Sequence, residues 1–206
     1  MPPIHTAPAK LLAVVGVGLL GLTACTSMGS GEDADGAETS AEEKIEAGPV
    51  VVECEYVPAA ADPEAGRSIE GPLDLCATGQ VDTWDIAVTA VEVDATETIL
   101  GFDDANTAPD GGSQYFMITL NGINRADEAM APADLLIGLR NGSWTYQSGC
   151  GTVPKDLVDV GEVAPGESFT ANRCVVVETE QVEGAVIEMA LLNSWDVEKY
   201  TYFAAA

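Results

Sequence analysis

The chain has 206 residues with 34 acidic against 8 basic side chains, a formal net charge of −26, and a single histidine. Charge of that sign and size repels nucleic acid and anionic lipid headgroups, so neither is an expected partner; it argues for a heavily solvated surface and says nothing about the fold. The one histidine, His5, precedes an apolar run that reads as a removable leader, which excludes Ser-His-Asp and Cys-His catalysis in the mature protein.

Lys10 and the free amino terminus supply a weakly positive start, Leu11 to Leu22 an apolar and glycine run, and Leu22-Thr23-Ala24-Cys25 the small residues and cysteine at which a bacterial lipoprotein is cut and lipidated. The twelve residues of that run fall short of the roughly 20 needed to cross a bilayer core. Residues 1–24 are therefore expected to be a lipoprotein signal peptide. Cys25 becomes the new amino terminus with lipid on its sulfur, and the protein sits on the extracellular face of the cell membrane. Residues 25–47 carry almost no aliphatic side chain and cannot bury enough surface to fold. They form an acidic tether with an end-to-end distance of about 25 Å.

Beyond Cys25 stand Cys54, Cys76, Cys150 and Cys174, an even number in a chain assigned to the oxidising outside. Of the three possible connectivities, Cys54 with Cys76 and Cys150 with Cys174 closes two loops of similar length, and it is the expected one. Zinc is not expected, because there is no C-x-x-C pair and the mature chain has no histidine. Residues 48–78 read as an N-terminal extension stapled by Cys54 and Cys76, and residues 79–206 as the main domain.

From Val50 onward, short β-branched and aromatic runs separated by Gly, Pro, Asn and Asp replace any long 3.6-residue period, an all-β pattern. Strands are expected at Val50 to Val57, Leu73 to Ala77, Trp84 to Val93, Gln114 to Leu120, Leu135 to Leu139, Trp144 to Gln147, Phe169 to Val177, Val186 to Leu192 and Lys199 to Phe203. In the third of these, Trp84, Ile86, Val88 and Ala90 share one face, Asp85 and Thr89 point the other way, and the apolar phase passes to Val91 and Val93. That switch predicts a bulge at Ala90 to Val91. Seven to nine strands suit a two-sheet sandwich. Asn141-Gly142 predicts a type I′ hairpin and Pro165-Gly166 a type II turn. Only Asp127 to Leu136 is expected to form a helical turn.

The acidic stretch Asp94 to Gly112 reads as a long loop and the segment best placed to have a function of its own. Its Asp103, Asp104, Asn106 and Asp110 offer hard oxygen ligands for calcium but lack the order of an EF-hand loop, so Asp103, Asp104 and Asp110 are metal candidates by charge alone. Asp103 with Asp104, or Asp82 with Asp85, are the carboxylate pairs a glycoside hydrolase would need. With so many acids, adjacency is expected by chance. No phosphate or dinucleotide fingerprint is present, and no cofactor is expected. Trp84 is assigned to the core, while Trp144 and Trp195 suit either packing or a stacking platform for sugars. Tyr200 and Tyr202 share a face of the last strand. Arg125, Arg140 and Arg173 are expected to be local salt partners, and the sequon Asn141-Gly142-Ser143 is read as a turn.

The succession Gln80-Val81-Asp82-Thr83-Trp84-Asp85-Ile86-Ala87-Val88-Thr89, Tyr115 to Leu120 leading into Asn124-Arg125-Ala126-Asp127-Glu128, and the later Leu135 to Arg140, Trp144 to Tyr146, Val163-Ala164-Pro165-Gly166-Glu167-Ser168 and Cys174-Val175-Val176-Val177 resemble the telokin-like, immunoglobulin-like domains of unknown function on actinobacterial and other Gram-positive lipoproteins. The pair Cys150-Gly151 and Cys174 is similar to that of the family's disulfide-bearing members. The resemblance spans roughly Gly79 to Phe203 and implies an immunoglobulin-like sandwich related to secreted mycobacterial immunogenic antigens, with no established activity. The expected function is that of a non-catalytic, membrane-anchored domain that binds or supports another cell-envelope component. A small-ligand or calcium-binding lipoprotein using residues 94–112 is the alternative, and a carboxylate hydrolase the third.

Overall fold

A computed structural model describes residues 51–192 and 199–205. The expected signal peptide, the tether, Cys25 and Trp195 lie outside the described residues.

Nine strands are described: β1 (Val51–Glu53), β2 (Thr78–Val81), β3 (Trp84–Glu92), β4 (Ser113–Asn124), β5 (Leu135–Asn141), β6 (Trp144–Tyr146), β7 (Ser168–Glu178), β8 (Val186–Leu191) and β9 (Thr201–Ala204). They form two antiparallel sheets. In the first, β1 and β2 both pair with β3, followed by β4 and β7; in the second the order is β6-β5-β8-β9. The result is the two-sheet sandwich expected from the strand pattern.

Alternation within each strand explains the core. Phe116, Ile118 and Leu120 of β4, Leu135, Ile137 and Leu139 of β5, and Ile187 and Met189 of β8 all turn inward and are buried between the sheets. Trp84 is fully buried and meets Phe169 edge-on, with ring centroids 5.4 Å apart. At Gly122 an added Cβ would collide with the Phe169 ring, so the close approach of that ring requires glycine.

The phase switch in β3 is real and falls one residue earlier than expected. Register with β4 shifts between Val88 and Ala90, leaving Thr89 as the extra residue. Trp84, Ile86, Val88 and then Val91 consequently all face the core. On the other edge of β3 the bulge is met by a disulfide: the Cys76 and Cys54 amides donate to the Val88 and Thr89 carbonyls at 2.8 and 3.1 Å.

Four expectations change. The Asp94 to Gly112 stretch is not all loop, since Thr96–Phe102 forms helix α1. Its one fully buried residue, Ile99, packs with Ala95, Tyr115, Cys150, Val153 and Cys174 on the outer face of β4 and β7. Leu73 to Ala77 is not a strand; Leu73 alone bridges Phe203 in parallel, and β2 starts at Thr78. That removes the boundary at residue 78, because β1 and Leu73 belong to the same sandwich as everything after them. The Asp127 to Leu136 helical turn shortens to a 3-10 turn at Pro132–Asp134.

Turn chemistry divides in the same way. Gly166 has φ 76° and the Glu167 amide donates to the Ala164 carbonyl at 3.0 Å, as a type II turn requires. In the β5-β6 hairpin Asn141 pairs with Trp144, so the two loop residues are Gly142 and Ser143. Only Gly142, with φ 56°, is left-handed, the pattern of a II′ turn instead of the expected I′.

Candidate functional site

The acidic segment is a structural cover. Asp103 ends α1 and its Oδ1 accepts from the Ala105 amide at 2.9 Å. The Asn106 Nδ2 donates to the Ile99 and Thr152 carbonyls and its Oδ1 accepts from the Thr152 amide, each at 2.8 Å, so the side chain clasps α1 to the loop around Cys150. The Tyr115 hydroxyl donates to the Thr107 carbonyl at 2.5 Å, and the Asp110 carbonyl closes a turn with the Ser113 amide at 2.9 Å. Among the described residues no group of three or more His, Cys, Asp or Glu is placed to hold one metal ion. Asp103, Asp104 and Asp110 are therefore not brought together as a metal centre. Asp82 and Asp85 also part company: Asp85 is buried against the Arg125 guanidinium, 2.7 Å from its Nε, while Asp82 sits in the β2-β3 turn with φ 54°.

The disulfides are Cys54–Cys76 and Cys150–Cys174. The second is buried in the pad beneath α1, whereas the first is half-buried. Segment 148–156 lies along the outer edge of β7, where the Val176 and Asn172 amides donate to the Ser148 and Lys155 carbonyls. Segment 66–73 lies along the outer edge of β9, with the Tyr202 amide on the Gly66 carbonyl and the Ala204 amide on the Leu73 carbonyl.

The rare cations take two kinds of position. Arg125 pairs with Asp85, and Arg140 reaches the buried Glu188 at 3.4 Å. Arg173 is no such salt partner among the described residues: it stands opposite Ile118 and donates to the Gln147 carbonyl at 3.2 Å. Glu188 also accepts from Gln147 Nε2 at 3.4 Å and lies beside Tyr202 in the β8-β9 register. Burial raises the Tyr202 hydroxyl above its ordinary pKa; Arg140 opposes this, and Glu188, Tyr200 and Glu70 add to it. Trp84 is core, as expected, and Trp144 stands 63 % exposed at the β5-β6 hairpin.

Arg67 belongs to no sequence motif, and it lines a concavity. A cavity of about 590 Å³ opens where β2 of one sheet meets the start of β9 of the other, lined by Pro63, Glu64, Arg67, Gln80, Asp82 and Lys199. Arg67 is held by neutral oxygens: Nε donates to the Pro63 carbonyl at 2.7 Å, and Nη1 to Thr201 Oγ1 at 2.8 Å and the Tyr200 carbonyl at 3.3 Å. The Thr201 hydroxyl in turn donates to the Gln80 carbonyl at 2.5 Å, and Gln80 Nε2 donates to the Asp82 carbonyl at 2.9 Å. Among the described residues Arg67 has no carboxylate partner and its Nη2 has no acceptor. The rarity of cations was the one signal in the sequence; what it lacked was the juxtaposition of residues more than 130 positions apart.

No family model and no curated protein matches this chain. Solved structures similar to it include a conserved hypothetical protein from Bacillus anthracis, at 19% identity and TM-score 0.41 over 61% of this chain and 91% of that one. An uncharacterised β-sandwich protein from Clostridium difficile 630 is similar at 12% identity and TM-score 0.40, over 65% of this chain and 92% of that one. A candidate lipoprotein from Bacillus subtilis is similar at 14% identity and TM-score 0.39, with 61% of this chain matched to 37% of that one.

Proposed function

We propose that this is a lipid-anchored extracellular domain of non-catalytic type that holds another component of the cell envelope. The observation that carries the reading is the pairing of Cys54 with Cys76 and Cys150 with Cys174, which consumes every cysteine except the one in the Leu22-Thr23-Ala24-Cys25 run. Two closed disulfides fit an oxidising exterior, and Cys25 is left with no cysteine partner in its own chain and the local sequence of a lipidation site. The resemblance to telokin-like domains of Gram-positive lipoproteins agrees with this reading. Against catalysis stand the engagement of Asp85 by Arg125 and the clasping role of the segment that contains Asp103, Asp104 and Asp110.

Replacing Cys25 with Ser tests the anchor. The variant is expected to leave the membrane fraction and appear in the medium with an unchanged circular dichroism spectrum. Retention with the membrane at the wild-type level would overturn the reading.

A further inference from the structure

We propose that the cavity between β2 and β9 binds a small zwitterion with free amino and carboxyl ends, a short peptide or amino acid, with its carboxylate against Arg67 and Lys199 and its ammonium against Glu64 and Asp82. This goes beyond the anchoring reading and stands whether or not Cys25 carries lipid.

Four observations lead to it. First, the cavity collects cations where the chain has few: two of the six basic residues in the described part line this one space. Second, Arg67 is set in advance. Three hydrogen bonds to neutral oxygens fix its guanidinium without neutralising it, so a ligand carboxylate meets an oriented fork that has already lost its rotamer freedom. Third, the same walls carry Glu64 and Asp82, which suit an ammonium and would repel a phosphate or any other dianion at close range. Fourth, the far field agrees with the near field. A net charge of −26 slows the approach of anions, whereas a zwitterion has no net charge to be repelled and can exploit both local signs.

The remaining features set size and character. A volume of about 590 Å³ lies within the range of small-molecule sites. Among the described residues Pro63 is the one apolar side chain in the lining, so the occupant is polar with small side chains, and a lipid tail does not fit this chemistry. Gln80 is held by its bond to the Asp82 carbonyl and keeps its amide oxygen for a peptide N–H.

The test is calorimetric titration of the full chain in mild detergent, at low salt and neutral pH, with alanyl-alanine as the probe. Saturable one-site binding in the millimolar range or tighter is expected. N-acetyl-alanyl-alanine and alanyl-alaninamide, each lacking one terminal charge, should bind about tenfold more weakly, and inorganic phosphate should not compete. Arg67→Gln should abolish binding. Because Arg67 also ties the 62–67 turn to β9, the exposed Lys199→Gln serves as the second variant, with weakened binding and an unchanged thermal midpoint. Absence of saturable binding by the wild-type chain would overturn the proposal, as would equal affinity for the acetylated probe or an unaltered affinity in Lys199→Gln. None of these outcomes bears on the anchor, which fractionation decides separately.

Discussion

The two faces of the β3-β4-β7 sheet are both covered, by different means. On the inner face the cover is a second sheet, and the contact is a continuous aliphatic and aromatic layer that includes Trp84, Phe116, Ile118, Leu120 and Val175. On the outer face the cover is small: α1, the Cys150 loop and a pad in which Ile99, Tyr115, Val153 and the disulfide sulfurs are the buried apolar groups. The inner face is stabilised by area removed from water. The outer pad is too small for that alone and adds a cross-link and the Asn106 clasp. One sheet therefore shows where a chain has apolar surface to spare and where it substitutes covalent and hydrogen-bonded constraint.

The strongest way to break this contrast is Phe116→Ala. A fully buried ring between two sheets should cost about 3–5 kcal/mol, read from the denaturant midpoint at constant slope. A loss under 1 kcal/mol would mean that the inner layer is not the main source of stability.

A middle-sized effect sharpens the comparison. The two disulfides span similar separations, 24 and 22 residues, so loop entropy assigns each about 3 kcal/mol. Cys150 and Cys174 are buried in the pad, whereas Cys54 and Cys76 are half-buried at the bulge. Cys150→Ala with Cys174→Ala should therefore lower the midpoint further than Cys54→Ala with Cys76→Ala. Equal losses would show that the pad contributes nothing beyond the cross-link.

The inner layer was legible in the sequence for a simple reason: apolar side chains that alternate over five or more residues place one face of an extended strand against a core, and β3, β4, β5, β7 and β8 all show it. Helix α1 and strand β2 lack that signal. Helix α1 is Thr-Glu-Thr-Ile-Leu-Gly-Phe, too short for a period to emerge, with a single residue, Ile99, to bury. Strand β2 is Thr-Gly-Gln-Val, held mainly by backbone pairing with β3, so its side chains announce little. At the acidic segment charge points to Asp103, Asp104 and Asp110, whereas the groups that fix the segment include the amide of Asn106 and the hydroxyl of Tyr115. The cavity was illegible for another reason: Arg67, Gln80 and Lys199 meet only once two sheets have closed, and no local spacing encodes that meeting.

The smallest expected effect lies on the outer face of the other sheet, where Arg140, Glu188 and Tyr202 stand together. Tyr202 has a raised pKa in the folded protein. Below about pH 10 its hydroxyl is neutral in both folded and unfolded chains, and its contribution to stability is complete; above that pH the unfolded chain loses the proton first, so stability falls as pH rises towards the folded value. Tyr202→Phe should therefore show a shallower decline of the thermal midpoint between about pH 9 and 11. An identical decline would place the alkaline sensitivity elsewhere.

The segments that run beside β7 and β9 have a consequence for life in a crowd. An open strand edge offers unpaired amides and carbonyls to any neighbour, a second copy of the chain included. Here the outer edges of β7 and β9 already bond to irregular chain, segment 148–156 on one and 66–73 on the other. One guard is cross-linked to the strand it covers, Cys150–Cys174 tying segment 148–156 to β7, while Cys54–Cys76 closes the stretch of chain that contains segment 66–73. The Cys150–Cys174 staple thus does more than raise the melting point: it keeps a latent template for fibre-like association shut, even when the guarding segment breathes.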